Sequence, residues 1–149
     1  MVIIDGHNAL FRLYPDPDEN FLACIADMTE RTALIADRLG KKIILVYDGT
    51  GGLHEHGAKT VRGRHLEVIH SGSALSADEW IRGWMSQHAR TPVTIVSDDK
   101  RMLESVRRKN LSVAAPKKWY AENEKPEAPG TDKKEFGSVD YWLEEFGES

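Results

Sequence analysis

The chain of 149 residues lacks a cysteine pair, a long apolar run and the pattern of a signal peptide. Its single cysteine, Cys24, excludes an internal disulfide. The longest apolar runs are the length of a strand, well short of the roughly 20 residues that a membrane helix requires. The N-terminus has neither the basic start nor the small-residue cleavage site of a signal peptide. We therefore expect a cytoplasmic protein that makes no contact with a membrane.

The chain also lacks an excess of positive charge, because its formal net charge is −4 at pH 7. The field of the whole molecule does not attract nucleic acid, so such a partner would require a local basic patch. A hydrophobic fraction of 40% is sufficient for one core. We expect one domain over residues 1–116, a flexible linker rich in Lys, Glu, Pro and Gly over residues 117–137, and a short amphipathic segment over residues 138–149.

In the last segment, apolar residues recur at helical spacing: Val139, Trp142, Leu143 and Phe146. About ten residues are too few for a stable isolated helix in water, so this apolar stripe must be buried elsewhere. It packs either on its own domain or on a partner protein. We favour packing on its own domain, because exposed aromatic residues are a liability to a free monomer.

Apolar runs of strand length alternate with segments of helical periodicity, which predicts an α/β fold with a parallel sheet. The predicted strands cover residues 1–4, 42–47, 66–69, 93–97 and 111–115. The predicted helices cover residues 8–14, 21–39, 77–89 and 100–109, and Gly40 is placed to cap the second helix. Residues 49–64, which contain several glycines, are expected to form a long loop.

Three of these strands run directly into aspartate residues, namely Asp5, Asp48 and Asp98. The carboxyl ends of parallel strands lie at the same edge of a sheet, where open α/β folds place their active sites. We therefore expect the three carboxylates to emerge at one edge.

A fourth carboxylate is expected at the same edge. Ser76 and Glu79 have the spacing of a capping box at the start of a helix, which leaves Asp78 free. Since this helix follows the carboxyl end of a strand, Asp78 should approach Asp5 and Asp98. Crowded carboxylates repel one another unless a divalent cation neutralises them, and oxygen ligands suit Mg²⁺ or Mn²⁺.

Each acid also has a purely structural alternative. Asp98 could be the N-cap of the following helix with Asp99 favouring its dipole, and Asp78 could be an ordinary acid of a first helical turn. Asp48 precedes Gly49, and Asp-Gly is a common turn. The combination of these acids at one edge, rather than any single one, favours a metal site.

The residues at these positions resemble the NYN domain of the PIN-like nuclease superfamily, in its YacP-like bacterial branch. The resemblance covers about residues 1 to 115. It rests on Asp5-Gly6-x-Asn8, on Tyr47-Asp48, on Ser76-Ala77-Asp78 with Ile81 after it, and on Val96-Ser97-Asp98. It implies a PIN-like three-layer α/β/α fold with a parallel sheet of about five strands in the order 3-2-1-4-5, and metal-dependent cleavage of RNA.

The resemblance also implies roles for individual residues. Asp5, Asp78 and Asp98 would be metal ligands, Asn8 would orient a ligand, water or phosphate, and Asp48 would be an outer acid.

Two positions depart from the pattern of the family. Leu75 stands where a further acidic residue is often found, and His7 stands where an aromatic residue is common. We expect His7 to contact the substrate.

The segment between Gly49 and His65 is rich in cations, with Lys59, Arg62 and Arg64. It lacks the Gly-Lys-Ser/Thr ending of a phosphate loop, so it is not expected to bind nucleoside triphosphate. We expect these three side chains to hold RNA phosphates beside the acidic edge. The alternative is an ordinary solvated loop.

The sequence therefore predicts a Mg²⁺- or Mn²⁺-dependent ribonuclease, with endonucleolytic cleavage favoured and ribosome-associated RNA among the candidate substrates. A phosphatase of the haloacid dehalogenase type is disfavoured, because His7 stands where such an enzyme needs a second aspartate. The alternative from another class is a degenerate PIN-like module that holds RNA or a protein without cutting it, and Leu75 favours that alternative. The sequence gives no indication of the oligomeric state.

Overall fold

The computed structural model describes residues 1–49 and 58–124. The strands are β1 Val2–Asp5, β2 Ile43–Tyr47, β3 Ala58–Arg62, β4 Leu66–His70, β5 Val93–Val96 and β6 Leu111–Ala114. The helices are α1 Gly6–Leu13, α2 Phe21–Leu39, α3 Ala77–Gln87, α4 Lys100–Ser105 and α5 Pro116–Asn123. None of the helices in these two ranges is both long and apolar enough to cross a membrane.

The strands form one sheet in the order β3-β4-β2-β1-β5-β6. All neighbours pair in parallel except β3 and β4, which are antiparallel. The five parallel strands have the predicted order 3-2-1-4-5, so this prediction is confirmed. Their carboxyl ends form one edge, called the carboxyl edge below, and their amino ends form the opposite, amino edge.

Strand β3 is an addition to the predicted fold, because its residues were expected to belong to a loop. Its register pairs Ala58 with His70 and Arg62 with Leu66. Val61 remains 61% exposed, so backbone pairing with β4 holds this strand more than side-chain burial does. Residues 50–57 of the expected loop lie outside the described residues.

Helices cover both faces of the sheet, as the three-layer prediction requires. On one face, Ile4 and Leu45 of the sheet share a buried cluster with Leu10 of α1, Met28 of α2 and Trp119 of α5. On the other face, a separate cluster joins Ile3 and Ile44 of the sheet to Ile81 of α3 and Met102 of α4. This strict alternation along β1 and β2 is that of parallel strands buried on both sides.

Helix α2 has the predicted bounds, and Gly40 ends it in the left-handed conformation with φ 63°. Three other helices differ from their predicted bounds, and one of them, α3, ends at Gln87 instead of at residue 89. Helix α1 begins at Gly6, directly after β1, and α4 ends at Ser105.

Residues 117–137 were predicted to form a flexible linker. The first of them belong to helix α5 instead. Pro116 occupies the first turn of this helix, where a missing N–H costs nothing. Trp119 and Tyr120 are buried, and the hydroxyl of Tyr120 lies 2.7 Å from that of Thr32 on α2. The remainder of the expected linker and the segment over residues 138–149 lie outside the described residues.

Candidate metal site

Asp5 is the last residue of β1 and is only 5% exposed. The residue after it must be glycine, since a Cβ on Gly6 would lie 2.6 Å from both the ring of Tyr47 and the carbonyl oxygen of Val46. The close packing allows α1 to begin immediately after the strand. The sheet itself therefore fixes the position of the Asp5 carboxylate.

Asp78 lies in the first turn of α3, whose start is held by two devices. The predicted capping box is confirmed, with the Ser76 side chain accepting from the Glu79 N–H and the Glu79 side chain accepting from the Ser76 N–H. In addition, the N–H of Ala77 donates to Asp48 Oδ1 at 2.6 Å. Asp48, at the end of β2, thus anchors the turn that carries Asp78.

Asp99 follows β5 and caps α4, because its Oδ1 accepts from the N–H groups of Arg101 and Met102. The buried hydroxyl of Ser97 links it to Asp5. Ser97 Oγ donates to Asp5 Oδ2 at 3.2 Å and accepts from the N–H of Asp99 at 3.1 Å. One hydroxyl group thus joins two acids from neighbouring strands.

Asp5, Asp78 and Asp99 form the candidate metal site. One carboxylate oxygen of each lies within 4.8 Å of the corresponding oxygens of the other two. The expected convergence of acids at the carboxyl edge is therefore present for Asp5 and Asp78, with Asp99 as the third member.

Asp98, expected as the third acid, is not part of this cluster. Its Oδ2 accepts from Arg12 Nε at 2.8 Å and its Oδ1 accepts from Asn8 Nδ2 at 2.9 Å. Arg12 and Asn8 together hold the pKa of Asp98 below its ordinary value. The sequence predicted Asp98 as the third acid, but Asp98 forms an ion pair with Arg12. Its neighbour Asp99 both caps α4 and belongs to the cluster.

The electrostatics of the cluster suit a hard cation. Burial raises the pKa of Asp5 to about 6, Ser97 opposes this increase, and the nearby Asp78 and Asp48 add to it. Burial also raises the pKa of Asp78, as do Asp99 and Asp48, against the opposing effect of Arg82 and Arg101. Three carboxylates at this separation, with negative charge that the protein does not fully compensate, are a donor set that fits Mg²⁺ or Mn²⁺.

A comparison with known families bears on this arrangement. The model of the YacP-like NYN domain matches residues 2–137. The chain belongs to the YacP-like NYN domain family. No curated protein and no solved structure matches the chain. Membership places the chain in the PIN-like nuclease superfamily, in agreement with the order of its parallel strands.

In this NYN domain, the other predicted site residues surround the cluster in different ways. Asp48 raises the pKa of both Asp5 and Asp78 while it anchors α3, a position compatible with an outer acid. Asn8 and Asp98 form a reciprocal pair, since Asn8 Oδ1 accepts from the N–H of Asp98 at 3.0 Å.

His7 is half-buried between the rings of Phe21 and Tyr47. Its Nδ1 accepts from the N–H of Asp48 at 3.1 Å, and burial lowers its pKa. Burial thus favours the neutral imidazole, against the opposing effect of Asp48, and the ring packs α1 against the end of β2.

The basic segment does not lie where it was expected. Arg62 pairs in register with Leu66, the first residue of β4, which places it at the amino edge, and its side chain binds Glu30 at 2.6 Å. Arg64 is exposed in the turn that follows. Lys59 lines a pocket with Trp80 and Trp84, over the face covered by α3. The expectation that Arg62 and Arg64 lie beside the acids is wrong, because β3 reverses the chain and carries both to the opposite edge.

Leu75 leaves the site without a further acid. Its side chain is 45% exposed, and its carbonyl oxygen accepts from the hydroxyl of Ser71. This residue adds a backbone contact before α3 but no carboxylate to the cluster.

Proposed function

We propose that this NYN domain is a ribonuclease that hydrolyses internal phosphodiester bonds of cytoplasmic RNA with Mg²⁺ or Mn²⁺. The observation that carries the proposal is the convergence of Asp5, Asp78 and Asp99 at the carboxyl edge. Family membership supports it, because the PIN-like superfamily is one of nucleases. Among the described residues, none of these three acids belongs to an ion pair within 4.0 Å, and this also supports the proposal.

In the proposed reaction, Asp5, Asp78 and Asp99 would hold the ion. A divalent cation bound there lowers the pKa of its water and neutralises charge that develops on phosphate oxygens. Asp5 supplies a carboxylate fixed by the sheet. The Ser97 hydroxyl, which bonds both Asp5 and the N–H of Asp99, maintains the distance between these two acids. Asp48 holds the first turn of α3, so that Asp78 is already in position before substrate arrives.

The alternative function is an RNA-binding or protein-binding module without hydrolytic activity. The observation that favours it is Leu75, a half-exposed apolar side chain where a further acid would strengthen metal binding. Because the three remaining acids suffice for a hard cation, we favour the hydrolase.

The test is cleavage of a labelled pool of single-stranded RNA of mixed sequence, with Mn²⁺, with Mg²⁺ and with EDTA. We expect cleavage with either metal and none in EDTA. Asp5→Asn and Asp99→Asn should each reduce the rate by more than about 100-fold, since they remove metal ligands themselves rather than the groups behind them. Cleavage of a circular RNA of the same composition would establish endonucleolytic action.

Glu30→Gln is the matched control, because Glu30 is an exposed carboxylate paired with Arg62, far from the cluster. It should cleave at the wild-type rate. Binding of RNA without cleavage by the wild-type protein, with both metals, would favour the alternative. A larger loss in Asp98→Asn than in Asp99→Asn would contradict the assignment of Asp99.

A further inference from the structure

Besides Arg82 and Arg101, which act on Asp78, the carboxyl edge has exposed cations on α1 and α5 rather than in the basic segment around β3. Helix α5 begins where β6 ends, and its first turn exposes Lys117 and Lys118. Arg12 belongs to the last turn of α1, but its ion pair with Asp98 brings its guanidinium back toward the end of β5. Helices α1 and α5 pack against each other on the same face of the sheet. We call Arg12, Lys117 and Lys118 the cationic arc.

Arg12 is held in an orientation that leaves most of its donors unused. Only its Nε has a hydrogen-bond partner within residues 1–49 and 58–124, and its side chain is 51% exposed. By contrast, Arg31 and Arg108 use both terminal nitrogens on protein acceptors. The terminal nitrogens of Arg12 are therefore able to form the two-pronged contact that guanidinium makes with a phosphate.

Asp98 is itself fixed on two sides. Its Oδ1 and its N–H pair with the amide group of Asn8, which leaves Oδ2 directed at Arg12. Asn8 lies in the first turn of α1, and that helix begins directly after Asp5. Asp98 directly precedes Asp99. The ion pair is thus tied by the backbone to two acids of the candidate metal site.

The lysines of the arc are placed against their local electrostatic preference. The amino end of a helix carries partial positive charge, which disfavours cations in its first turn. Helix α5 has no acid in that turn to offset Lys117 and Lys118. A bound polyanion would provide the negative charge that this first turn lacks.

We propose that phosphates of the RNA strand beside the cleaved bond bind to the cationic arc, with Asp98 as the positioning residue for Arg12. The proposal rests on the proposed function, since it takes RNA as the substrate of the acidic cluster. The RNA strand then runs from the metal site across α1 and α5, toward the end of the strand order opposite to β3 and β4. Net negative charge elsewhere on the protein does not prevent this, because phosphate contacts are local.

The test measures binding of a fluorescein-labelled single-stranded RNA of mixed sequence by anisotropy, in EDTA so that no cleavage occurs. Arg12→Ala should weaken binding about fivefold at low salt and reduce the slope of log affinity against log salt by about 1. The double variant Lys117→Ala/Lys118→Ala should reduce the slope by about 2. Thermal melting of each variant establishes that it is folded.

The matched control is Arg62→Ala. Arg62 and Arg12 are each about half exposed and each paired with one carboxylate, but they lie at opposite edges of the sheet. Arg62→Ala should leave affinity and salt slope unchanged. Equal effects of Arg12→Ala and Arg62→Ala would overturn the arc.

The role of Asp98 is tested by the sign of its effect. Asp98→Asn removes a negative charge near RNA, which by itself strengthens binding, but it also releases Arg12. We expect Asp98→Asn to weaken binding about twofold in the wild-type background and to strengthen it in the Arg12→Ala background. A change of the same sign in both backgrounds would overturn the positioning role.

These measurements separate the arc from the proposed function. Asp5→Asn should bind RNA in EDTA at least as tightly as wild type while losing cleavage. If the arc variants weaken binding but the wild-type protein never cleaves RNA, the hydrolase proposal fails. The proposal that the cationic arc binds RNA phosphates is then still supported. If the wild-type protein cleaves RNA and the arc variants bind it as tightly as wild type, the arc alone fails.

Discussion

The two edges of the sheet differ in their acidic side chains, because only the carboxyl edge has, beside the paired Asp98, a cluster of acids outside the described ion pairs. Toward the amino edge, Glu30, Asp37 and Glu67 each lie within 4.0 Å of a basic group, on Arg62, His65 and Lys42 respectively. At the carboxyl edge, the three acids of the cluster lie within 4.8 Å of one another, and none of them belongs to an ion pair among the described residues.

The difference shows where this fold gives up stability. Paired acids at the amino edge are at least partly exposed and contribute little, whereas the cluster at the carboxyl edge places a buried carboxylate beside two others. The raised pKa of Asp5, caused first by burial and then by Asp78 and Asp48, reflects this cost. A site that stays unfavourable until a cation arrives binds that cation more tightly than a neutralised site would.

The largest expected effect concerns Asp5 in the absence of metal. Its pKa in the folded protein is about 6, above the ordinary 3.8 of an unfolded chain, so the folded state retains a proton that the unfolded state releases. Stability should therefore fall as pH rises from about 4 to about 6. A difference of about 2 pKa units corresponds to about 3 kcal/mol. Urea denaturation in EDTA at several pH values measures it.

The control for this experiment is Asp5→Asn, which lacks the titrating group. The free energy of unfolding of the wild type minus that of the variant should decrease over this pH range and then become constant, because other groups cancel in the difference. Parallel pH profiles of the two proteins would contradict the raised pKa of Asp5.

The next largest effect concerns metal binding. Mn²⁺ or Mg²⁺ at about 100 times its dissociation constant should stabilise the wild-type protein by about 2.7 kcal/mol, and the effect should be greater near pH 7.5 than near pH 5.5 because protons compete for Asp5. Thermal melting against metal concentration measures the shift. Asp99→Asn should lose most of the shift, and Glu30→Gln should keep it. Loss of the whole response in Asp98→Asn, with Asp99→Asn unaffected, would reverse the assignment.

The smallest effect is expected at the amino edge. Arg62→Ala breaks an ion pair whose two side chains are 49% and 58% exposed. Since water screens such pairs, the free energy of unfolding should fall by less than about 1 kcal/mol. Urea denaturation at low and high salt measures it. A loss as large as that expected for Asp5 would remove the contrast between the two edges.

Much of the fold was predictable because local patterns agree with the tertiary structure. Parallel strands buried on both faces appear as continuous apolar runs, and Ile43–Tyr47 is such a run. The end of α2 was predictable because glycine at position 40 favours a left-handed cap. The start of α3 was predictable because Ser76 and Glu79 form a capping box. The order of the five parallel strands came from the resemblance to the family rather than from these patterns.

Two elements escaped prediction for different reasons. Strand β3 has an exposed Val61 between polar residues, so its hydrogen bonds to β4 leave little trace in hydrophobicity. Helix α5 begins with Pro116 and two lysines, which resemble the linker that follows. Its signals were proline at a first helical turn and the aromatic pair Trp119-Tyr120, which is buried.

The candidate site was predictable in location but not in every member. Asp98 and Asp99 follow the same strand, and sequence alone does not show which of two consecutive side chains turns toward Asp5. In the structure, Asn8 and Arg12 hold the Asp98 carboxylate, whereas the N–H of Asp99 donates to the Ser97 hydroxyl that itself donates to Asp5. The position of Arg62 was predicted wrongly for another reason. Only the register of β3, a strand that the sequence did not predict, shows that Arg62 lies at the amino edge.

The three acids belong to elements of very different robustness. Asp5 ends a fully buried strand, Asp78 opens a doubly anchored helix, and Asp99 opens α4, a single short helix with one buried residue, Met102. An ion held by all three would act as a cross-link that ties this short helix to the centre of the sheet. Local opening of α4 would then set the rate at which the ion leaves, and amide hydrogen exchange along α4 would slow when metal is added.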